Sequence, residues 1–439
     1  MAGVVISGTG SGVGKTSVAV SLMMRMSEKM KVQPFKVGPD FIDPAYHTAA
    51  TGRRSRNLDS FLMSERSIRS LTAYASAGSD ICIVEGVRGL YEGSSGSGDS
   101  GSTAEIAKML GFPVILVVDA SSLNRSAAAI VNGFKAFDPS VDVAGVILNN
   151  VSGPQHERKL LEAMAAYTDV RTLGCIRKDP SKVLQQRYLG LKTVRPSERG
   201  AADALKDLTS CIDIEAVAEI ADRAPAPSCE ASLPYDVSDG AGLTAAVPND
   251  DAFCFCYHDN IECMRASGVK VIEFSPAAGD RLPDADIYYL GGGYPELFAS
   301  EISANTDFTE GLKTACGDGR RVVGECGGLM VMCSEIVDAS GNAHRMAGIF
   351  DAEAKMTGKR HGPSYVVAES PSGRAVKGHE YHYSDVFLRR KYEYRYELSR
   401  GAGIDSGRDG IVNGRSIGTY MHQHVLSSEK WMDDLIDGL

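Results

Sequence analysis

Three stretches of this chain place reactive residue types at spacings that could do chemistry. The first is Ser7-Gly8-Thr9-Gly10-Ser11-Gly12-Val13-Gly14-Lys15-Thr16, between an apolar run (Gly3 to Ile6) and a helix expected from about Gly14 with Val18, Leu22 and Met26 inward. Successive backbone NH groups in such a turn converge and, with the positive end of the helix dipole, cradle phosphate oxygens. Lys15 would add a point charge on the β/γ-phosphates, and the Thr16 hydroxyl would take one position on Mg²⁺. The usual pattern has a glycine five residues before Gly14; here that position is Thr9, with Gly8 one residue further back.

The second stretch, Val322-Val323-Gly324-Glu325-Cys326-Gly327-Gly328-Leu329-Met330, reads as strand, sharp turn and helix with a cysteine at the turn. A thiol held at a helix N-terminus is favoured as a nucleophilic thiolate, and the glycines after it let backbone amides face a developing oxyanion. Such a nucleophile needs a base, and the third stretch, Gly418-Thr419-Tyr420-Met421-His422-Gln423-His424, offers one. His422 and His424 could equally be metal ligands, but no third ligand is spaced to join them. Cys316 and Cys333 read as small buried hydrophobes.

The elements that must hold these groups alternate strand and helix. Val32 to Val37 reads as a strand that empties into Gly38-Pro39-Asp40-Phe41-Ile42-Asp43-Pro44, at the sheet edge where open α/β folds bind ligands. Asp59 sits at a helix start, and the strand Ile81 to Val84 ends in Glu85, the position of the usual direct or indirect Mg²⁺ ligand beside a phosphate loop. Each acid alone reads as well as a cap or a solvated charge; three on strand ends beside one phosphate loop point to metal and substrate. Ser94 to Ser102 is a Gly/Ser-rich loop or lid. Strands at Val114 to Val118 and Val143 to Leu148 end at Asp119 and at Asn149-Asn150, where an amide suits a base edge. The alternation predicts an α/β fold with a parallel, doubly wound sheet.

Arg223 to Asp250 lacks periodicity and marks the domain boundary. The expected division is a first domain over 1–222, a linker over 223–249 and a second α/β domain over 250–439. In the second domain the strands fall at Ala252 to Tyr257, Val269 to Phe274 and Ile287 to Leu290. The last of these opens into Gly291-Gly292-Gly293-Tyr294-Pro295-Glu296, whose glycines allow close backbone approach to a ligand.

With 439 residues, 43% hydrophobic and 23% charged, the chain has the composition of a soluble protein of two domains. A net charge of −10 argues against a nucleic-acid surface, and no apolar run approaches membrane-spanning length. The ten cysteines include no C-x-x-C pair, and the chain runs from Met1 straight into its first strand, so a reducing cytoplasmic setting without disulfides or zinc is expected.

Over essentially its whole length the chain resembles the cobyrinate a,c-diamide synthases and their methanogen relatives, the nickel-sirohydrochlorin a,c-diamide synthases. The motifs are Lys36 to Pro44 with Tyr46-His47, Glu85 to Gly93, Asp251-Ala252-Phe253, Gly292 to Glu296, and Gly378-His379-Glu380-Tyr381-His382. The resemblance implies a dethiobiotin-synthetase-like P-loop ATPase domain followed by a class I glutamine amidotransferase domain. It implies ATP binding by Gly10, Gly12, Gly14, Lys15, Thr16 and Asn149, and Mg²⁺ held by Thr16, Asp59 and Glu85 with Asp40 as a further candidate. Cys326 matches the glutaminase nucleophile and His422 its base; the glutamate usual two residues later is replaced by His424, which leaves a Cys-His dyad. Thr9 is the spacing found in dethiobiotin-synthetase-like enzymes.

The implied activity amidates the a- and c-acetates of a tetrapyrrole through an acyl phosphate, with ATP and L-glutamine as co-substrates and ammonia passing between the domains along a shielded path. Tyr46, His47 and Arg88 are expected to line the tetrapyrrole mouth. Arg88 and Glu92, standing where Met and Asp occur in many cobalamin-pathway members, together with Ser55 to Asp59, tilt the substrate toward nickel-sirohydrochlorin or a dual role. No nucleic-acid or membrane partner is expected, and a homodimer is compatible. The rival from another class is a P-loop switch of the partitioning type with a non-catalytic C-terminal domain, which would need neither Cys326 nor glutamine.

Overall fold

The computed structural model describes residues 2–179, 205–226, 229–370 and 373–437, and the chain divides into two compact units, 1–234 and 235–439. Residues 180–204 of the expected first domain, 227–228 of the expected linker, and Met1 lie outside the described residues.

The first unit is built on β1 (Ala2–Gly8), β2 (Val32–Val37), β3 (Arg56–Leu58), β4 (Ile81–Glu85), β5 (Val114–Asp119), β6 (Val143–Val151) and β7 (Arg171–Arg177). These pair in parallel in the order β3-β2-β4-β1-β5-β6-β7. A parallel sheet covered on both faces needs near-continuous apolar strands; Val4, Val5 and Ile6 of β1, like Ile115, Leu116 and Val117 of β5, have no exposed surface. Helix α1 (Lys15–Ser27) contributes Val18, Leu22 and Met26 to the same core, as its spacing predicts. The chain moves from β1 to one side for β2–β4 and to the other for β5–β7, so β1 lies at the reversal of strand order. The crevice beyond its carboxyl end is where such sheets bind ligands, and the phosphate loop occupies it.

The second unit adds β8 (Thr244–Pro248), β9 (Lys270–Phe274), β10 (Ile287–Leu290), β11 (Arg321–Glu325), β12 (Glu335–Val337), β13 (Ala343–Arg345), β14 (Ala352–Glu369), β15 (Ala375–Leu388), β16 (Glu393–Arg400), β17 (Arg408–Asn413) and β18 (Ser416–Thr419). A parallel core, β9-β8-β10-β11-β18, continues into antiparallel β17, β16 and β14, and β15 pairs with β14 in a long hairpin.

The strand expected over Ala252–Tyr257 is not formed. The Asp250 carboxylate accepts hydrogen bonds from Ala252 N (2.9 Å) and Phe253 N (3.1 Å), a side-chain cap that turns the chain. The first strand of this sheet is instead β8, within the stretch expected to be linker. The β14–β15 hairpin leaves little signal in hydropathy, because the face β15 buries at every second residue includes Gly378, Glu380, His382 and Ser384.

Candidate active site

In the first unit, the turn from β1 to α1 is shaped by Gly14 at φ 95°, where a Cβ would stand 2.3 Å from Asn149 Nδ2. The Asn149 amide donates to Val13 O at 2.8 Å, so the expected base-contacting residue ties the end of β6 to the phosphate loop. Lys15 Nζ reaches back across the loop to Gly10 O at 3.0 Å. Burial, with Lys36 nearby, pulls the Lys15 ammonium below its usual pKa.

Thr16 Oγ1 donates to Glu85 Oε1 at 2.7 Å, bringing the start of α1 to the tip of β4. Glu85 is fully buried, and three groups surround it: Thr16, Lys36 Nζ at 2.9 Å and His47 Nε2 at 2.6 Å. Burial opposes its charge, but Lys36, His47 and Thr16 together hold it well below the usual carboxylate range. Lys36 also meets Asp43 Oδ2 at 2.5 Å; burial works against its charge, and Asp43 and Glu85 overcome it and raise its pKa. Asp43 moves the other way, raised by burial and by the crowding of Asp40 and Glu85. Burial thus works against charge on Asp43, whose Oδ1 is buried with no hydrogen-bond partner. Lys36 and Asp43 were not singled out individually from the sequence; both sit inside the Lys36–Pro44 motif, which was the available signal.

The other acids have capping work. Asp40 Oδ1 accepts from Ile42 N and Asp43 N (2.7 and 3.3 Å) at the start of α2 (Ile42–Thr51), and Asp59 Oδ1 accepts from Phe61 N and Leu62 N (2.8 and 3.0 Å).

The expected tetrapyrrole contacts separate. Tyr46 is 1% exposed and packs with Val20 and Leu205, because its face of α2 lies against α1. His47 is wholly buried on Glu85. Neither side chain lines a mouth, which corrects that expectation. Arg88 is exposed, in the left-handed region at φ 51°, with Nη1 donating to Gly93 O at 3.1 Å.

In the second unit, Cys326 follows β11 at φ 50° and ψ −99°, a strained conformation for a non-glycine residue, and the helix Gly327–Met332 starts directly after it. Its NH donates to Thr419 O at 2.7 Å, fixing the elbow to the end of β18. The chain leaving β18 brings His422 back to the elbow, and two backbone bonds with His379 (3.1 and 2.8 Å) hold it there. Gly292 permits the approach: a Cβ there would stand 2.4 Å from His422 Cε1. Burial alone would lower the His422 pKa; Cys326 and Glu325 reverse this and raise it to about 9. The His379 ring stacks on His422 at 4.9 Å and is held well below its ordinary pKa by burial, then by His422 and His424.

His424 does not join the pair. It is fully buried, with Nε2 3.3 Å from Asp259 Oδ2 and Nδ1 accepting from Leu426 N at 3.1 Å. The Glu325 carboxylate, which the sequence reading passed over, lies beside His422 with Oε2 3.7 Å from Nδ1.

A phosphate loop whose threonine meets a buried strand-end glutamate, and a strained cysteine elbow facing a buried histidine, define an amide-forming ligase that draws nitrogen from glutamine. Residues 4–186 match the CobQ/CobB/MinD/ParA nucleotide binding domain, and residues 244–430 match the CobB/CobQ-like glutamine amidotransferase domain. The chain is 41% identical over 436 residues to the cobyrinate a,c-diamide synthase of Methanothermobacter thermautotrophicus, covering 97% of this chain and 96% of that one. It is 40% identical to the same-named protein of Methanocaldococcus jannaschii (99% and 98% covered) and 39% to that of Methanosarcina acetivorans (99% and 94%). The chain belongs to the cobyrinate a,c-diamide synthase family, which sets aside the partitioning-switch alternative. Among the described residues no helix is long and apolar enough to cross a membrane.

Proposed function

We propose that this protein uses ATP and glutamine to amidate the a- and c-acetate carboxylates of a tetrapyrrole. The observation that supports this most directly is the pairing on one chain of the Thr16–Glu85 phosphate site with the Cys326–His422 elbow. The relatives' name supports cobyrinate as the substrate. The identities of Arg88 and Glu92, with Ser55 to Asp59, tilt the reading toward nickel-sirohydrochlorin or a dual role.

In the synthetase half, an acetate oxygen attacks the γ-phosphorus of ATP, the bond to the β-phosphate oxygen breaks, and an acyl phosphate forms as ADP leaves. The loop amides from Gly10 to Thr16 and the Lys15 ammonium hold the transferring charge. Mg²⁺ suits the oxygen donors here: Thr16 Oγ1, Glu85 and the unpartnered Asp43 Oδ1 would hold it, with Asp59 and Asp40 as further candidates. Among the described residues no three or more His, Cys, Asp or Glu gather into a metal cage, and Mg²⁺ at phosphate sites ordinarily takes only one or two carboxylates. When bound, it would neutralise charge on the β- and γ-phosphate oxygens.

In the glutaminase half, Cys326 Sγ attacks the side-chain amide carbon of glutamine, and His422 passes a proton to the leaving ammonia. Water then hydrolyses the thioester to glutamate. Ammonia attacks the acyl phosphate carbon, phosphate leaves, and the amide forms.

The test offers cobyrinate and nickel-sirohydrochlorin side by side to the purified chain with ATP and glutamine, and follows mass. Conversion to a diamide, lost in Cys326→Ala with glutamine and restored by ammonium, is expected. Failure to convert either one, with ATP hydrolysis intact, overturns the reading.

A further inference from the structure

We infer that Glu325 is the positioning carboxylate of the glutaminase site, engaging His422 through Nδ1 from the nucleophile's own strand. This rests on the proposed Cys326–His422 reading and completes it. The position two residues beyond the histidine, where a carboxylate would ordinarily stand, holds His424. That ring is committed to Asp259 and Leu426 and lies edge-on to Tyr257 at 4.7 Å.

Glu325 reaches His422 by a different route. The β11–β18 register sets Glu325 opposite Thr419, so its carboxylate lies beside the segment leaving β18. Oε2 is 3.7 Å from His422 Nδ1, and Oε1 accepts from Gln423 N at 3.4 Å, with both side chains at most 5% exposed. A contact of 3.7 Å is longer than a hydrogen bond, and such contacts commonly tighten when substrate fills the site. The sharp turn at Cys326 lets two neighbouring residues approach one imidazole from different sides.

The titratable groups around the imidazole include Cys326 and Glu325 from β11 and its turn, and the stacked His379 and the nearby His382 from β15. Burial, then His422, keeps the His379 ring from taking up a proton of its own, so Glu325 is the neighbouring carboxylate that favours imidazolium at His422. During attack the proton from Cys326 stays on His422, held in register by Glu325, until ammonia leaves with it; the carboxylate takes no proton.

The test uses the full chain with Glu325→Gln and Glu325→Asp, each checked for folding by its thermal midpoint. Glu325→Gln is expected to lower kcat for glutamine hydrolysis at least ~100-fold with KM within ~3-fold. Glu325→Asp falls between it and wild type. The alkaline limb of Cys326 alkylation by iodoacetamide should move down by about one unit or more in Glu325→Gln, since removing the carboxylate takes away one of the groups that raise the His422 pKa to about 9. If that variant does not fold, Glu325→Asp is read the same way. Wild-type kcat with an unmoved alkaline limb in an active enzyme overturns the inference alone. A wild-type chain no more active on glutamine than Cys326→Ala overturns the glutaminase reading and the inference with it.

Discussion

Thr16 Oγ1 donates to Glu85 Oε1 at 2.7 Å, joining the first turn after the phosphate loop to the tip of the neighbouring strand. The contact links a residue recognisable in a short motif to one 69 positions later. Glu85→Gln keeps the shape and removes the charge that the proposed Mg²⁺ site needs. It should lower ATP-dependent amidation by ~100-fold or more while glutamine hydrolysis by the second unit persists. Coupled assays of ADP and glutamate release check both halves.

Lys36 sits between Asp43 and Glu85 at 2.5 and 2.9 Å, with all three side chains buried. Lys36→Met strands two carboxylates away from water and from their cation. Breaking a buried pair by removing one partner costs about 3–5 kcal/mol, so a clear fall in the first unit's thermal midpoint is expected, measured by calorimetry.

Asp259 holds the Tyr235 hydroxyl at 2.5 Å and lies 3.3 Å from His424. Asp259→Ala should therefore destabilise the second unit by about 1–3 kcal/mol through buried groups left unsatisfied. The kcat of glutamine hydrolysis in the folded fraction should change by less than ~5-fold; a 100-fold loss with unchanged stability would instead place His424 in the chemistry.

The raised pKa of His422, about 9 against an ordinary 6.5, fixes the sign of a pH effect. The folded state binds the proton more tightly than the unfolded chain. Its contribution to stability is thus full below about pH 6.5 and is lost as pH rises through about 9. Thermal midpoints of wild type and His422→Asn, compared across pH 6 to 10, should converge toward the alkaline end.

Gly14→Ala tests the phosphate loop. The substitution forces a side chain into positive φ and into the Asn149 amide. ATP binding should weaken at least ~10-fold by calorimetric titration, with little effect on cysteine alkylation at Cys326.

Periodicity and turn chemistry along the chain determined most of the scaffold. Ile287–Leu290 formed as a strand with the bounds read from it because buried parallel strands are near-continuously apolar, and Val32–Val37 kept its bounds although buried Gln33 and Lys36 interrupt its apolar run. Gly14-Lys15-Thr16 and Cys326-Gly327-Gly328 were legible because their chemistry depends on local backbone shape, which a few adjacent residues specify. Sequence could not show that Asp250 would cap the chain where a strand was expected, since either conformation satisfies the same local pattern until β8 pairs with β9 and β10. Nor could it separate Tyr46, buried against Val20, from Arg88, exposed beyond β4. Only the tertiary structure gathered Lys36, Asp43, His47 and Glu85 around Thr16, and turned Glu325 toward His422 while giving His424 to Asp259. Those partners come from different strands and helices, and packing and strand register alone decide which of them meet.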